Sequence, residues 1–389
     1  MHLHRRLRRL SALAVALPSL ASAQDSTRTR PDTDQPRLAP TPPFEFSGIV
    51  FLNYQYGGAR GNRSVNRFEA ERAYLTFRAW PGDRFGVRIT ADLYQQRDTT
   101  RDQYYRGWGF RAKYAYGQYD FIRGAADALR ANVRLGMLPT IVVDQEEQYW
   151  QRGLSSVAVE QNGFFQSSDL GAAATVTLPS KLGEIYATIT NGSGYSSRET
   201  DRFKDYALRL TLTPLANGIG FLKGLAISPW YSKGNRASDF ARRRGTVLAI
   251  DDALEKNRAG VFAGIRDSRI ALGAHFAQRW DVVEAADTTR DIEPTGTHRT
   301  GRVISLHTTA QPLAYLSSQP TLPIAIVLRY DRITPDVDRA PYARNTIAGL
   351  QWALNRRTTV TFDYQNQTPK NGSTATDTKV YFLHLIAAF

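Results

Sequence analysis

Residues 72–93 read RAYLTFRAWPGDRFGVRITADL, and the alternation in this stretch decides the fold class. Ala73, Leu75, Phe77 and Ala79 alternate with Arg72, Tyr74, Thr76 and Arg78. After a turn at Pro81, Gly82 and Asp83, Phe85, Val87, Ile89, Ala91 and Leu93 alternate with Arg84, Arg88, Thr90 and Asp92. Successive side chains on a β-strand point to opposite faces, so these residues form a hairpin with one face suited to an apolar medium and the other to water.

The same texture extends in both directions. Upstream, Phe44, Phe46, Val50, Leu52, Tyr54 and Tyr56 alternate with Glu45, Ser47, Asn53 and Gln55. Downstream, further strands are expected at 108–118, 131–138, 168–178, 184–191, 205–213, 225–232, 258–266, 269–280, 302–310, 324–331, 344–355, 358–366 and 378–389, sixteen in all. Alternation is poor at 258–266 and 302–310, where either parity could face outward. Links after the second, sixth, tenth and fourteenth strands are short, whereas several after odd strands are long and polar, such as 233–257, 281–301 and 367–377. Links near Tyr119, Pro214 and Gln311 are longer than that pattern wants. Short turns on one rim and long loops on the other characterise an outer-membrane β-barrel. Phe44 to Phe389 is 346 residues, or about 22 per strand with its connection, which suits membrane strands of about 9–11 residues. A soluble sandwich would have to hide the apolar faces of two sheets against each other, yet here the charge follows the polar face over the whole length.

Composition agrees. Of 389 residues, 42% are hydrophobic and 22% charged, with no cysteine and a formal charge of +14, which excludes a disulfide scaffold, a thiolate zinc site and a disordered chain. Nineteen Tyr, 18 Phe and 6 Trp stand against 2 Met, and mean hydropathy is −0.40. Apolar runs beyond the N-terminus are short, Ile324–Leu328 being one, whereas a spanning helix needs about 20 apolar residues. Any membrane span is therefore expected to be a strand.

At the N-terminus Arg5, Arg6, Arg8 and Arg9, the apolar run 10–20 and Ala21-Ser22-Ala23 have the form of a secretory signal, expected to occupy residues 1–23. Its removal takes four arginines and leaves a charge of +10. Residues 24–43, with five prolines, are expected to be a disordered periplasmic tail, leaving 44–389 as the barrel. At the other end Tyr381, Leu383, Leu385 and Ala387 lead at period two to the terminal Phe389. This resembles the last strand of bacterial outer-membrane proteins, and the resemblance implies a signal read by the barrel-insertion machinery.

In a barrel of this size the polar parity lines a water-filled lumen. Strands two to five put Arg72, Arg78, Arg84, Arg88, Arg111, Lys113 and Arg134 there, against Glu69, Glu71 and Asp92, so one wall is expected to be basic. Arginine supplies 42 of the 50 basic residues, and its planar fork can hold an oxyanion by two parallel hydrogen bonds. Pairing of these arginines with luminal acids is the competing explanation. The connection 139–167 mixes Ile141, Val142 and Val143 with Asp144, Glu146, Glu147, Tyr149, Trp150, Arg152 and Glu160. A loop this apolar is expected to fold into the barrel and narrow it, its acids facing the basic wall so that a transverse field filters solutes. The alternative is an external loop packed on a neighbouring subunit.

The stretches Ala131–Pro139 (ANVRLGMLP), Ser167–Gly171 (SSDLG) and Asn191–Tyr195 (NGSGY), flanking that acidic and aromatic loop, resemble the phosphate-selective porin O/P family. The resemblance implies a sixteen-stranded trimeric porin with a basic, inward-folded constriction, and by position Arg134 best matches a pore-lining family residue. Phosphate-selective members also use luminal lysines; this chain has eight Lys in all.

His275, His298, His307 and His384 lack metal-ligand spacing, so neither metal nor cofactor is expected. The basic charge is spread over alternate strand positions, which argues against nucleic acid. The expected function is a passive outer-membrane porin for small hydrophilic solutes, favouring anions, with phosphate a candidate, and no catalysis. Its expected partners are outer-membrane lipids, the insertion machinery and two further copies in a homotrimer. Two rivals remain: a barrel hydrolase using His307 and Ser305 at the outer rim, and a structural or adhesive barrel with a plugged lumen.

Overall fold

The computed structural model describes residues 43–59, 65–97, 105–125, 127–199, 201–218, 220–237, 253–283, 297–313, 323–338, 342–370 and 377–389. The expected signal and nearly all of the expected tail lie outside these residues, as do the middles of the links at 233–257 and 281–301. Sixteen strands are present: β1 Phe44–Ala59, β2 Val65–Ala79, β3 Phe85–Arg97, β4 Tyr105–Ile122, β5 Arg130–Pro139, β6 Ser168–Thr177, β7 Gly183–Thr190 and β8 Asp205–Leu212. They continue as β9 Leu225–Ala237, β10 Ala253–Arg266, β11 Ile270–Val283, β12 Thr297–Ala310, β13 Ile324–Thr334, β14 Tyr342–Ala353, β15 Thr358–Lys370 and β16 Thr378–Ala388.

Each strand pairs antiparallel with its chain neighbours, and β1 closes on β16 from Ile49 opposite Ala388 to Ala59 opposite Thr378. The fold is a closed sixteen-stranded barrel, as the alternation indicates. Closure satisfies every strand edge, which an apolar surrounding requires. The apolar parity faces outward, with Phe110 73% and Leu135 72% exposed. Water does not tolerate so continuous a belt, whereas lipid does.

Among the register shifts of the described strands, two bear on the inward face of β2–β4. The β1–β2 register shifts between Phe51 and Leu52, which face Arg72 and Ala70, leaving Glu71 as the extra residue. In β3–β4, Thr90 faces Tyr114 while Ala91 faces Ala112, so Lys113 is extra. An unbroken alternation through 108–118 would send Tyr114 outward. The bulge keeps Arg111 and Lys113 inside and brings Tyr114 in after them, 2% exposed.

The connection between β5 and β6 lies inside the barrel. It contains two short helices, α1 Val143–Glu146 and α2 Ala158–Gln161, and its neck is closed by the Thr140 N–H donating to the Ser167 carbonyl at 3.1 Å. Ile141, Val142, Val143, Trp150, Val157 and Phe164 are buried against inward residues that include Phe51, Val303, Val327, Ile347 and Ile386. Each large apolar side chain so buried contributes roughly 1.5–3 kcal/mol. This explains the run Ile324–Leu328 and the poor alternation at 302–310. Ala325 and Val327 face the inner loop while Ile326 and Leu328 face outward, so both parities are apolar.

Candidate functional site

The inward faces of β2–β5 carry basic side chains. Asp92 on β3 is fully buried and held from both sides, with Arg72 Nε 3.3 Å from one carboxylate oxygen and Arg111 Nε 2.9 Å from the other. The register produces this, since Arg111 lies directly opposite Asp92 and Arg72 is opposite the next inward residue, Tyr94. Arg111 is sandwiched between the rings of Tyr94 and Tyr195, at 4.2 and 4.3 Å, and donates to the Tyr195 hydroxyl at 3.0 Å. Arg88 lies 4.4 Å from the Tyr114 ring centroid and donates to Thr90 at 3.2 Å. Arg134 donates to Gln118 at 2.8 Å. Among the described residues Arg88 and Arg134 make no ion pair, so acids do not neutralise the whole wall. Arg78 stands apart, half-exposed by the β2–β3 turn, 3.6 Å from Glu45.

The inner loop approaches this wall at β4. The Tyr114 hydroxyl donates to Asp144 at 3.3 Å, and Lys113 Nζ to Glu147 at 3.4 Å. Arg152, within the loop, pairs with both Glu147 and Glu160. Burial pushes the Glu160 carboxyl up, but Arg152 and the Ser167 hydroxyl outweigh it and hold the carboxyl below its usual range. Contrary to the expectation that the loop acids all face the basic wall, Glu146 points to the other side. Its Oε2 is 2.6 Å from His275 Nδ1 on β11, and its Oε1 is 3.4 Å from His307 Nε2 on β12.

The Trp230 indole donates to His275 Nε2 at 3.1 Å. An indole N–H can only donate, so Nε2 accepts and the His275 proton sits on Nδ1, aimed at Glu146. Burial pushes the Glu146 carboxyl up, but the two imidazoles more than offset it and hold the group well below the carboxylate range. The histidines' engagement needs the tertiary fold, because His275 lies 129 residues from Glu146 along the chain and His307 further still.

Further ties run around the barrel. Arg329 on β13 donates to Ser155 at 2.9 Å and to the Ser156 carbonyl at 2.7 Å while pairing with Asp331 at 2.9 Å. Gln351 on β14 donates to Gln151 at 2.7 Å, Gln365 on β15 to the Leu154 carbonyl at 3.0 Å, and Gln145 of the loop to Thr211 on β8 at 3.0 Å. The loop is thus fastened to the far wall. Across from it Arg72 and Arg111 retain 21% and 22% side-chain exposure. Asp144 and Glu147 lie against the β4 part of this wall, through Tyr114 and Lys113, while Arg88 and Arg134 keep no acidic partner among the described residues.

Ser305 and His307 are both buried beneath the loop and not at a rim. The Ser305 Oγ and His307 Nδ1 have no hydrogen-bond partner, and the His307 ring packs 5.5 Å from Trp150. Nucleophilic catalysis needs a base within hydrogen-bond reach, which this pair lacks. Among the described residues no group of three His, Asp or Glu could hold a metal ion; the imidazoles of His275 and His307 aim at the Glu146 carboxylate. His384 is 3.0 Å from Asp363 on β15.

At the seam, Phe389 exchanges backbone hydrogen bonds with Gly48 at 2.9 and 3.0 Å, and its ring lies 6.2 Å from Phe46. Tyr381, Leu383 and Leu385 point outward above it.

A second inward basic group, Arg209, Lys256, Arg258, Arg279 and Arg329 on β8, β10, β11 and β13, is not among the residues expected from the sequence. Arg329, breaking an apolar run two residues before Asp331, was the available signal.

No family model and no curated protein matches the chain. Among solved structures it is similar to OprB of Pseudomonas putida (TM-score 0.60, 11% identity, 89% of this chain and 94% of that one). It is also similar to the anion-selective porin from Comamonas acidovorans (0.58, 12%, 89% and 99%) and to the outer membrane channel DcaP of Acinetobacter baumannii (0.56, 12%, 89% and 97%). At such identities the likeness extends to the barrel fold.

Proposed function

We propose that the chain is a porin of the outer membrane of a diderm bacterium, passing small hydrophilic solutes by diffusion and favouring anions. The observation that carries this reading is the row of arginines on β2–β5, two of them without an ion pair, facing a loop tied to the opposite wall. Fixed positive charge in a narrow aqueous passage concentrates anions and excludes cations within a Debye length, about 8–10 Å at physiological salt. The fold's likeness to proteins described as porins and channels, one of them anion-selective, supports it.

Arg72, Arg88, Arg111 and Arg134 line the passage in this reading, with Asp144 and Glu147 on the loop side; Lys113 and Arg152, expected there too, are largely buried and paired with Glu147, so they fasten the loop instead. Glu146 is an anchor, not a filter residue. The resemblance to the phosphate-selective porin O/P family makes phosphate one candidate solute. The assembly is read as a homotrimer, which one similar barrel, OmpT of Vibrio cholerae, is described as forming. Tyr381, Leu383, Leu385 and Phe389 serve as the insertion signal, residues 1–23 as the export signal and 24–43 as a periplasmic tail. Liposome swelling tests the pore: vesicles containing the protein should swell in isosmotic small sugars and faster in small organic anions, and vesicles that swell in neither would overturn it.

A further inference from the structure

Between the segment Phe164–Gln166 of the inner loop and the inward faces of β6–β10 lies a cavity of about 390 Å³, lined by none of the β2–β5 arginines. At about 30 Å³ per water it holds a dozen or so water volumes, enough for a molecule of sugar size. Three buried polar atoms on its lining find no hydrogen-bond partner: Arg258 Nε, Asp205 Oδ1 and Ser168 Oγ.

Arg258 differs from the other luminal arginines. Among the described residues it makes no hydrogen bond and no ion pair. The acids beside it are already engaged, Asp205 by Lys256 at 2.7 Å and Asp281 by Arg279 at 3.5 Å. One face of its guanidinium lies over Phe165 at 5.6 Å, and Phe165 in turn packs edge-on against Trp230 at 5.3 Å, so the fork is oriented while its edges stay free. Its cross-strand partner is Arg279, itself 5.0 Å from Phe164. Like charges directly opposite on a strand pair are unfavourable, and an incoming anion relieves that.

We infer that this cavity is a binding subsite for a small hydroxylated monocarboxylate of the sugar-acid class, its carboxylate on the Arg258 fork and its hydroxyls on Asp205 Oδ1 and Ser168 Oγ. A planar carboxylate matches the guanidinium by two parallel hydrogen bonds. Asp205 Oδ1 can only accept, so it asks for a hydroxyl donor on the ligand. A phosphate dianion fits worse, because one free cation must serve two charges while Asp169 and Asp205 line the same cavity. Bound here, the solute would be held on its way through the barrel, and in that respect the inference rests on the porin reading.

Calorimetric titration of the detergent-solubilised full-length protein with sodium gluconate and with sodium phosphate tests the site without needing a pore. Gluconate should bind saturably, at least tenfold more tightly than phosphate. Arg258→Gln should weaken gluconate at least tenfold. Arg258→Lys, which keeps the charge and so protects the fold, should weaken it severalfold by losing the fork, and Ser168→Ala by a smaller factor. No saturable gluconate binding, phosphate binding as tight as gluconate, or affinity unchanged in both Arg258 variants would overturn the site. Failure of the porin reading would show separately, as wild-type protein giving no conductance steps in potassium chloride.

Discussion

Asp92 is one carboxylate serving two arginines, and its replacement separates charge from scaffolding. Asp92→Asn removes the acid that Arg72 and Arg111 share, so the wall gains one unit of positive charge. Anion preference should rise, read as a larger reversal potential at low salt. Stability should fall by roughly 1.5–3 kcal/mol for the charge-assisted hydrogen bond from Arg111 that is weakened. Glu146 makes the complementary case. Its carboxyl, like that of Glu160, is held below the ordinary range in the folded chain. A lowered folded pKa means stability present above the unfolded value of about 4.3 and lost as pH falls through the folded one. The loop should therefore stay anchored from neutral pH down to about 4 and loosen only in stronger acid, and Trp fluorescence and channel current followed through that range would check it. A loop released between pH 5 and 7 would contradict the Glu146 clamp. The basic residues of this site were legible in the sequence because parity alone turns them inward. The clamp was not, because it joins a loop carboxylate to histidines on two distant strands, and no local spacing encodes that meeting.

Among the elements, the inner loop occupies the barrel interior and, in the porin reading, sets what can pass. Its tie to β13 is Arg329, buried with Asp331 and donating to Ser155 and Ser156. Arg329→Ala leaves the Asp331 carboxylate without its cation, a kind of loss that costs about 3–5 kcal/mol where the pair is buried. The expected outcome is a looser loop, seen as larger and noisier conductance steps. Unchanged steps would mean that the remaining ties hold the loop alone. That a loop enters the barrel was readable from its apolar content. Where it docks was also written in the chain, in Ile324–Leu328: a barrel strand apolar on both parities has something apolar on its inner side. The bulge at Lys113 left no comparable trace, since an extra residue in one strand shows only against its partner.

For the molecule as a whole, the sixteen strands and their order follow from period-two alternation and link length, a pattern strong enough to survive two weak strands. Closure depends on the seam. A Cβ at Gly48 would sit 2.2 Å from the Phe389 ring, so Gly48→Val must displace that ring. The variant should lose the ring's pairing with Phe46, worth ~0.5–1.5 kcal/mol, and unfold at lower temperature on heated gels. Deletion of Phe389 should also reduce insertion into the membrane.

The central claim, a passage whose basic wall favours anions, is tested most directly by the reversal potential of single channels under a tenfold potassium chloride gradient at low total salt. Stable open steps are expected, with a reversal potential on the chloride side of zero that moves toward zero in an Arg88→Gln, Arg111→Gln, Arg134→Gln triple variant. A cation-side potential, or a triple variant indistinguishable from the wild type, would contradict it.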